Sequence, residues 1–173
     1  MGNDLGIIEV YHASTEVVEN PDCKIGRKNL DFGQGFYLTD IYDQALNFAR
    51  NRGRDRKLQP IINVYTLQKD NLIKEAKSLI FSNYDDEWLE FIIACRAGKD
   101  VWHEYDYIEG GVADDRVIDT VNLYLQGYIA KDEALRRLIY LKPNNQICIV
   151  NQGLLDKYLQ FNNSLILPEY GLL

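Results

Sequence analysis

The most informative segment of the sequence is Asp31-Phe32-Gly33-Gln34-Gly35-Phe36-Tyr37-Leu38-Thr39. Its two glycines allow the backbone to adopt positive φ or to approach a ligand closely. The bulky residues that follow them are typical of a short buried strand. Thr39 and Asp40 are candidate N-caps for a helix over residues 41–52. On that helix the predicted buried face carries Ala45, Phe48 and Ala49. The segment therefore predicts a loop, a strand and a helix, an order that presents an aromatic ring at the edge of a cleft.

The bulk composition is that of an ordinary globular protein. The chain has 173 residues, of which 46% are hydrophobic and 26% charged, so one domain over residues 1–173 is expected. No apolar run reaches membrane-spanning length, and the N-terminus lacks the layout of a secretory signal. The net charge of −7 argues against broad binding to nucleic acid, which needs a basic surface. We therefore expect a cytoplasmic protein that does not bind membranes.

Cysteine and histidine are scarce. Cys23, Cys95 and Cys148 form an odd set without C-x-x-C spacing, which disfavours a disulfide scaffold or a zinc thiolate site and suits a reducing compartment. His12 and His103 are the two histidines, so we expect no histidine-based metal site.

Hydrophobic periodicity predicts an α+β fold. Strands are predicted at residues 7–12, 60–67, 106–109 and 146–150, with helices after Asp85-Asp86, after the turn at residues 110–115, after Asp132 and over 153–158. The chain is predicted to end in an apolar tail. Several short strands surrounded by helices are typical of an α+β domain.

The common catalytic motifs fit poorly. Ser14 lies only two residues from His12, too close for the usual nucleophile and base. Gly33 and Gly35 lack a third glycine and precede a strand, so a Rossmann or phosphate-binding loop is disfavoured.

A glycosidase-like pair formed by Glu109 and Asp115 stays open as an alternative. Asp114 and Asp115 are read more simply as the cap and first-turn residues of the following helix.

Three short motifs occur in a suggestive order. His12 ends the first strand in Tyr11-His12-Ala13-Ser14, Tyr37 lies in Gly35-Phe36-Tyr37-Leu38-Thr39, and Gln146 opens Gln146-Ile147-Cys148-Ile149-Val150. This arrangement resembles the ADP-ribosyltransferase superfamily, in its diphtheria-toxin and poly-ADP-ribose-polymerase branch with a His-Tyr-Glu signature. The chain also looks like a group of small bacterial proteins of unknown function near that branch.

The resemblance covers most of the chain, from about Val10 to Leu155. It includes Gly26-Arg27, the D-F-G-x-G-F-Y-L-T block and the turn at residues 111–117. It implies a split, mostly antiparallel β-core, surrounded by helices, that holds NAD in its cleft.

Roles for individual residues follow from the resemblance. His12 would bind the adenosine-side ribose, the backbone of Ala13 the nicotinamide amide, and Ser14 the nicotinamide ribose. Tyr37 would stack on the nicotinamide ring, an arrangement that aromatic and cation–π contacts stabilise. Arg27 can grip the pyrophosphate as a fork. The remaining cofactor-binding residues implied are Tyr11, Gly33, Gly35 and Phe36.

Gln146 departs from the signature, which has glutamate there. That glutamate steadies the oxocarbenium-like charge as nicotinamide leaves, whereas glutamine keeps the hydrogen bond without the charge. Losing such a partner commonly costs two or three powers of ten in rate. Three outcomes stay open: another carboxylate such as Asp114 or Asp115 supplies the charge, transfer stops after one unit, or the site binds without turnover.

The resemblance therefore implies an NAD-dependent mono-ADP-ribosyltransferase. NAD would be the substrate, no metal would be needed, and the acceptor would be a macromolecule, either protein or nucleic acid. The alternative is a catalytically silent module that binds NAD, ADP-ribose or a partner protein.

Overall fold

The computed structural model describes residues 6–113, 115–138 and 144–168, with residues 115–118 and 138 described by their backbone alone. The strands are β1 Ile7–Ser14, β2 Phe36–Leu38, β3 Ile61–Gln68, β4 Ser78–Ile80, β5 Tyr107–Gly110, β6 Gln146–Ile149 and β7 Leu159–Ile166. The α-helices are α1 Tyr42–Arg56, α2 Lys69–Glu75, α3 Asp86–Arg96, α4 Asp115–Leu125, α5 Lys131–Leu138 and α6 Gln152–Tyr158. A 3-10 helix covers Val101–Glu104.

The strands form two sheets. One has three strands in the order β1-β3-β7, and the other has four in the order β2-β6-β5-β4. All pairs are antiparallel except β4 with β5. The sheets meet where Tyr11 and Thr39 exchange two backbone hydrogen bonds of 2.8 and 3.0 Å. The predicted α+β class with a split, mostly antiparallel core is confirmed.

Apolar side chains fill three layers. The central layer lies between the two sheets and is closed by α2 and α6, with Val10 and Tyr65 from one sheet against Phe36 and Ile147 from the other. The outer face of the four-stranded sheet packs on α3 and the 3-10 helix, and the outer face of the three-stranded sheet packs on α1. Because β2 and β6 are covered on both faces, their side chains belong alternately to the two layers.

The predicted strands and helices are present, with some differences at their ends and some omissions. Elements α2, β4, the 3-10 helix and β7 were not predicted. The segment expected to be an apolar tail instead forms β7, which pairs with β3 over Leu159–Ile166. Its interrupted apolar pattern contains Asn162 and Asn163, so only the neighbouring strand reveals it as an edge strand.

Helix α1 differs from the prediction at its start and on its surface. It begins at Tyr42 after Ile41, which makes no side-chain cap, while the Thr39 hydroxyl accepts a hydrogen bond from the Ile41 amide at 3.1 Å. Ala45 and Ala49 are buried as predicted, but Phe48 is 44% exposed, so its assignment to the buried face is wrong.

Within the described residues, no helix is long and apolar enough to span a bilayer. Asp114 and the predicted turn at Lys142-Pro143 lie outside the described residues.

Candidate functional site

His12 lies near the end of β1 and binds the backbone of β2. Its Nδ1 is 2.7 Å from the Tyr37 carbonyl oxygen, and its ring stacks on Phe36 with the ring centroids 4.5 Å apart. Because a carbonyl only accepts, Nδ1 carries the proton and donates it. This bond crosses from one sheet to the other next to the Tyr11–Thr39 bridge.

The surroundings keep the His12 imidazole neutral. Burial lowers its pKa from 6.5 to about 4, and the nearby Arg52 acts in the same direction, against the opposing effect of the Tyr37 carbonyl. With Nδ1–H committed, Nε2 is an unprotonated acceptor, and no described residue donates a hydrogen bond to it. A neutral imidazole with a free acceptor suits a hydroxyl ligand.

The Tyr37 phenol is locked in place by the loop that precedes it. Its hydroxyl donates to the Gly33 carbonyl at 2.7 Å and accepts from the Phe32 amide at 3.0 Å. Burial raises the pKa of the phenol well above its usual value of 10.0. The hydroxyl is therefore fully used within the protein, and the part of Tyr37 left for a ligand is its partly exposed ring.

The two glycines of this loop are required by packing inside the protein. Gly33 has φ +74°, and an added Cβ would overlap the indole ring of Trp102. A Cβ at Gly35 would lie 2.5 Å from Cys148 Sγ. The loop thus closes tightly onto β6 and the 3-10 helix, which places the Tyr37 hydroxyl against Gly33.

Gln146 occupies the start of β6 and is only 8% exposed. Its Nε2 donates to Asp31 Oδ2 at 3.1 Å and to the Gly111 carbonyl at 3.3 Å. Asp31 is itself buried, pairs with Arg96 and accepts from the Ala113 amide at 2.9 Å. Both hydrogens of the Gln146 amide are used, while no described residue donates to its Oε1.

The structure brings Tyr37 and Gln146 to one face of the sheet and His12 to the other. Tyr37 is paired with Cys148, and Gln146 lies two residues from Cys148 on the same strand, so their side chains share a face. Phe36, on which the imidazole stacks, points to the opposite face. A ligand that contacts all three residues must therefore reach both faces of β2, which is joined to β1 by the Tyr11–Thr39 bridge and by the His12–Tyr37 bond.

The neighbours of His12 on β1 are held by local bonds. The Tyr11 hydroxyl donates to Glu9 at 2.6 Å, and the Ser14 hydroxyl accepts from the Glu16 amide at 3.1 Å. The Ala13 carbonyl accepts from Arg52 Nη1 at 3.0 Å. These contacts hold the strand end, and the ligand roles of the three residues stay predictions.

A group of arginines lies beside this strand end. Arg27, Arg52 and Arg56 are exposed and make no ion pair with any described residue. Partial burial lowers the pKa of the Arg52 guanidinium, and the charges of Arg56 and Arg27 lower it further, so both of these cations lie within electrostatic range of Arg52. Such unneutralised guanidinium groups in an acidic protein favour an anion, which extends the predicted role of Arg27.

Several residues of this site were not predicted from the sequence to belong to it. Arg52 lies in the basic run at the end of α1, which is also explained by the helix dipole. Asp31 stood in the central motif without a role, and Arg96 carried no signal. Phe48 is one helical turn before Arg52 on α1 and exposes its ring.

Glu109, the first member of the alternative glycosidase pair, is engaged by three donors. Lys69 Nζ lies 2.7 Å from it, the Tyr107 hydroxyl 2.6 Å and Asn145 Nδ2 2.9 Å. Glu109 is 7% exposed, and the side chain of Asp115 lies outside the described residues. Its contacts give Glu109 a structural explanation that does not require catalysis.

Across the part of the chain that the structure describes, no group of three or more His, Cys, Asp or Glu side chains is arranged to hold a metal ion.

Comparison with known proteins yields one match. No curated protein and no solved structure matches the chain. A family model described as a protein of unknown function, DUF3990, matches residues 8–161. The match extends from β1 into β7 and so includes His12, Tyr37 and Gln146. The chain belongs to the DUF3990 family.

Proposed function

We propose that this protein binds NAD across the split between its two sheets and transfers ADP-ribose to a macromolecular acceptor. The observation that carries the proposal is the convergence of three distant residues around β2. His12 bonds the backbone of Tyr37, and Tyr37 and Gln146 both bond the segment from Asp31 to Gly33.

The hydrogen-bonding character of the site supports a ribose-containing ligand. Nε2 of His12 and Oε1 of Gln146 are both acceptors without a partner among the described residues. Ribose hydroxyls are donors that pair with such groups. The Tyr37 ring, on the same face of the sheet as Gln146, offers a flat surface for an aromatic cation.

The two faces of β2 suit the two halves of a dinucleotide. The nicotinamide half would lie on the face of Tyr37 and Gln146, and the adenosine half on the face of His12. The pyrophosphate would then lie near the strand end of β1, where Arg27 and Arg52 carry unneutralised charge. Charge-assisted hydrogen bonds from arginine to phosphate are among the stronger polar contacts in proteins.

In the proposed reaction, the bond between ribose C1 and the nicotinamide nitrogen breaks and nicotinamide leaves as a neutral molecule. A nucleophile on the acceptor forms a bond to C1 and releases its proton to solvent. The protein would position both reactants and stabilise the oxocarbenium-like charge with the Gln146 carboxamide oxygen. Because that oxygen carries no formal charge, we expect slow turnover.

The test is the release of labelled nicotinamide from NAD, measured with protein, DNA and RNA offered separately as acceptors. Tyr37→Ala should abolish release, since it removes the ring and frees the loop. Tyr158→Phe is the control, because the Tyr158 hydroxyl bonds Glu75 and none of the candidate site residues, and it should leave release unchanged. Absence of nicotinamide release with every acceptor would exclude the transferase.

A second candidate, nucleotide binding without turnover, is favoured by the neutral amide of Gln146. In that case NAD or ADP-ribose raises the melting temperature while nicotinamide release stays at background. A ligand at one hundred times its Kd stabilises a protein by about 2.7 kcal/mol.

A further inference from the structure

The residue at position 146 is coupled to a buried carboxylate on another part of the chain. Asp31 is 7% exposed and accepts from Gln146 Nε2 at 3.1 Å and from the Ala113 amide at 2.9 Å, through the same oxygen. Its other oxygen pairs with the Arg96 guanidinium, which comes from the last turn of α3. Arg96 therefore fixes Asp31, and Asp31 fixes one hydrogen of the Gln146 amide.

The second hydrogen of that amide is fixed as well. Gln146 Nε2 lies 3.3 Å from the Gly111 carbonyl, which like Asp31 Oδ2 only accepts. Turning the amide over would place Oε1 against both acceptors, where it would be repelled. The orientation of the amide is thus determined, and Oε1 is the atom left to meet a ligand.

We propose that Asp31, held by Arg96, is a positioning residue that presents Gln146 Oε1 to the ligand and excludes glutamate from position 146. This inference rests on the proposed function for the identity of the ligand. Its structural part, the selection of an amide over a carboxylate, does not depend on the ligand.

A glutamate at position 146 would keep the shape of glutamine and lose both donors. One carboxylate oxygen would then lie about 3 Å from Asp31 Oδ2 and from the Gly111 carbonyl. The folded protein is more stable when this carboxyl is protonated and donates a hydrogen bond than when it is charged.

The other ionisable groups around Asp31 among the described residues are Arg96, Tyr37 and Cys95. Burial raises the pKa of the Cys95 thiol to about 12 and that of the Tyr37 phenol well above 10.0, so both stay neutral at pH 5–8.

The experiment compares wild type, Gln146→Glu, Asp31→Asn and the double variant by thermal unfolding at pH 5 and pH 8. Gln146→Glu should lower Tm by roughly 4–8 °C more at pH 8 than at pH 5, because its carboxyl is raised in pKa in the folded state and stability falls as pH rises. The double variant should be more stable than the sum of the two single losses, since the Asp31→Asn change removes the opposing charge. Additive losses with no pH dependence would overturn the proposal.

If Gln146→Glu does not fold at either pH, recovery of folded protein in the double variant becomes the decisive readout, and failure to recover counts against the proposal. Gln152→Glu is the matched control for the NAD-binding measurement. Gln152 Nε2 also donates to a carboxylate and a carbonyl, those of Asp156 and Pro21, but its Oε1 is already occupied by the Cys23 amide.

The ligand arm uses NAD as the probe and separates positioning from general stability. Asp31→Asn should weaken NAD binding at least tenfold at a temperature where the variant is fully folded, and Gln152→Glu should not. If wild type does not bind NAD, the proposed function fails while the unfolding data still decide whether Asp31 selects the amide. If wild type binds NAD and Asp31→Asn binds equally well, the positioning role is excluded.

Discussion

The His12 imidazole donates Nδ1–H to the Tyr37 carbonyl at 2.7 Å, so a residue of the three-stranded sheet is tied to the backbone of the four-stranded sheet. The bond fixes the tautomer of the ring and leaves Nε2 as an acceptor. Because the imidazole is neutral at neutral pH, it forms hydrogen bonds there but does not act as a general acid. This distinction has a measurable effect on stability.

We expect the His12 imidazole to destabilise the folded protein in acid. Its folded pKa of about 4 is below the unfolded value of 6.5, so the unfolded state binds more protons between these values. This contribution to the free energy of unfolding is complete above pH 6.5 and is lost as pH falls toward 4, by about 3 kcal/mol in total. Urea unfolding of wild type and His12→Gln at pH 7.5 and pH 4.5 measures this, with the variant losing less stability in acid. An equal acid loss in wild type and His12→Gln would contradict the assignment.

Replacement of Tyr37 by phenylalanine should separate the hydroxyl from the ring. The change leaves the Phe32 amide and the Gly33 carbonyl without their partner, which we expect to lower the free energy of unfolding by about 1–3 kcal/mol. The ring remains, so NAD affinity should fall less than in Tyr37→Ala.

Tyr65→Phe is a matched control, since the buried Tyr65 hydroxyl makes one bond, to the Val18 carbonyl, in the layer between the sheets. It should lower stability without changing NAD affinity. Equal NAD affinities in Tyr37→Phe and Tyr37→Ala would show that the ring does not contact the ligand.

Gly33 should tolerate no side chain. Gly33→Ala combines a positive φ with a Cβ that would overlap the Trp102 ring, so we expect a loss of about 2–4 kcal/mol. Gly98→Ala has a similar φ, +79°, but nothing within 4 Å of the added Cβ, and should lose about 1 kcal/mol. Denaturant unfolding of both variants isolates the packing contribution. Similar losses in the two variants would mean that Trp102 does not restrict the loop.

Arg52 is expected to bind the phosphates of the ligand together with Arg27. Arg52→Gln should raise the KM or Kd for NAD by about 10-fold or more, because it removes a guanidinium charge that the bond to the Ala13 carbonyl holds next to the end of β1. The effect should shrink at high salt, since exposed charges are screened. Arg50→Gln removes one positive charge from the same helix at an exposed position and should change affinity little. Equal effects of the two variants would point to net charge alone.

Much of the fold followed from local patterns. Strands β1, β3 and β6 are runs of β-branched and aromatic residues, and Asp85 caps α3 as its position predicts, accepting from the Trp88 amide at 3.0 Å. These elements are encoded by neighbouring residues, so the chain reveals them without its tertiary structure. In contrast, β4 and β7 are short or polar and become strands through the partners that they pair with. The prediction that Phe48 lies on the buried face of α1 was wrong because periodicity does not say how much of a helix the sheet covers.

The sequence by itself determined the α+β class, the order of the main elements and the loop that holds Tyr37, because propensity, capping and hydrophobic period act between residues close together in the chain. Only the tertiary structure decided what surrounds the candidate site. Asp31 and Gln146 are 115 residues apart, and their hydrogen bond depends on how β6 packs against the loop before β2. The same is true of the neutral state of His12, which arises from burial and from the carbonyl that its ring reaches. The charge state of His12 and the orientation of the Gln146 amide depend on residues that are close in space but distant in sequence, so they could not be predicted from the order of residues alone.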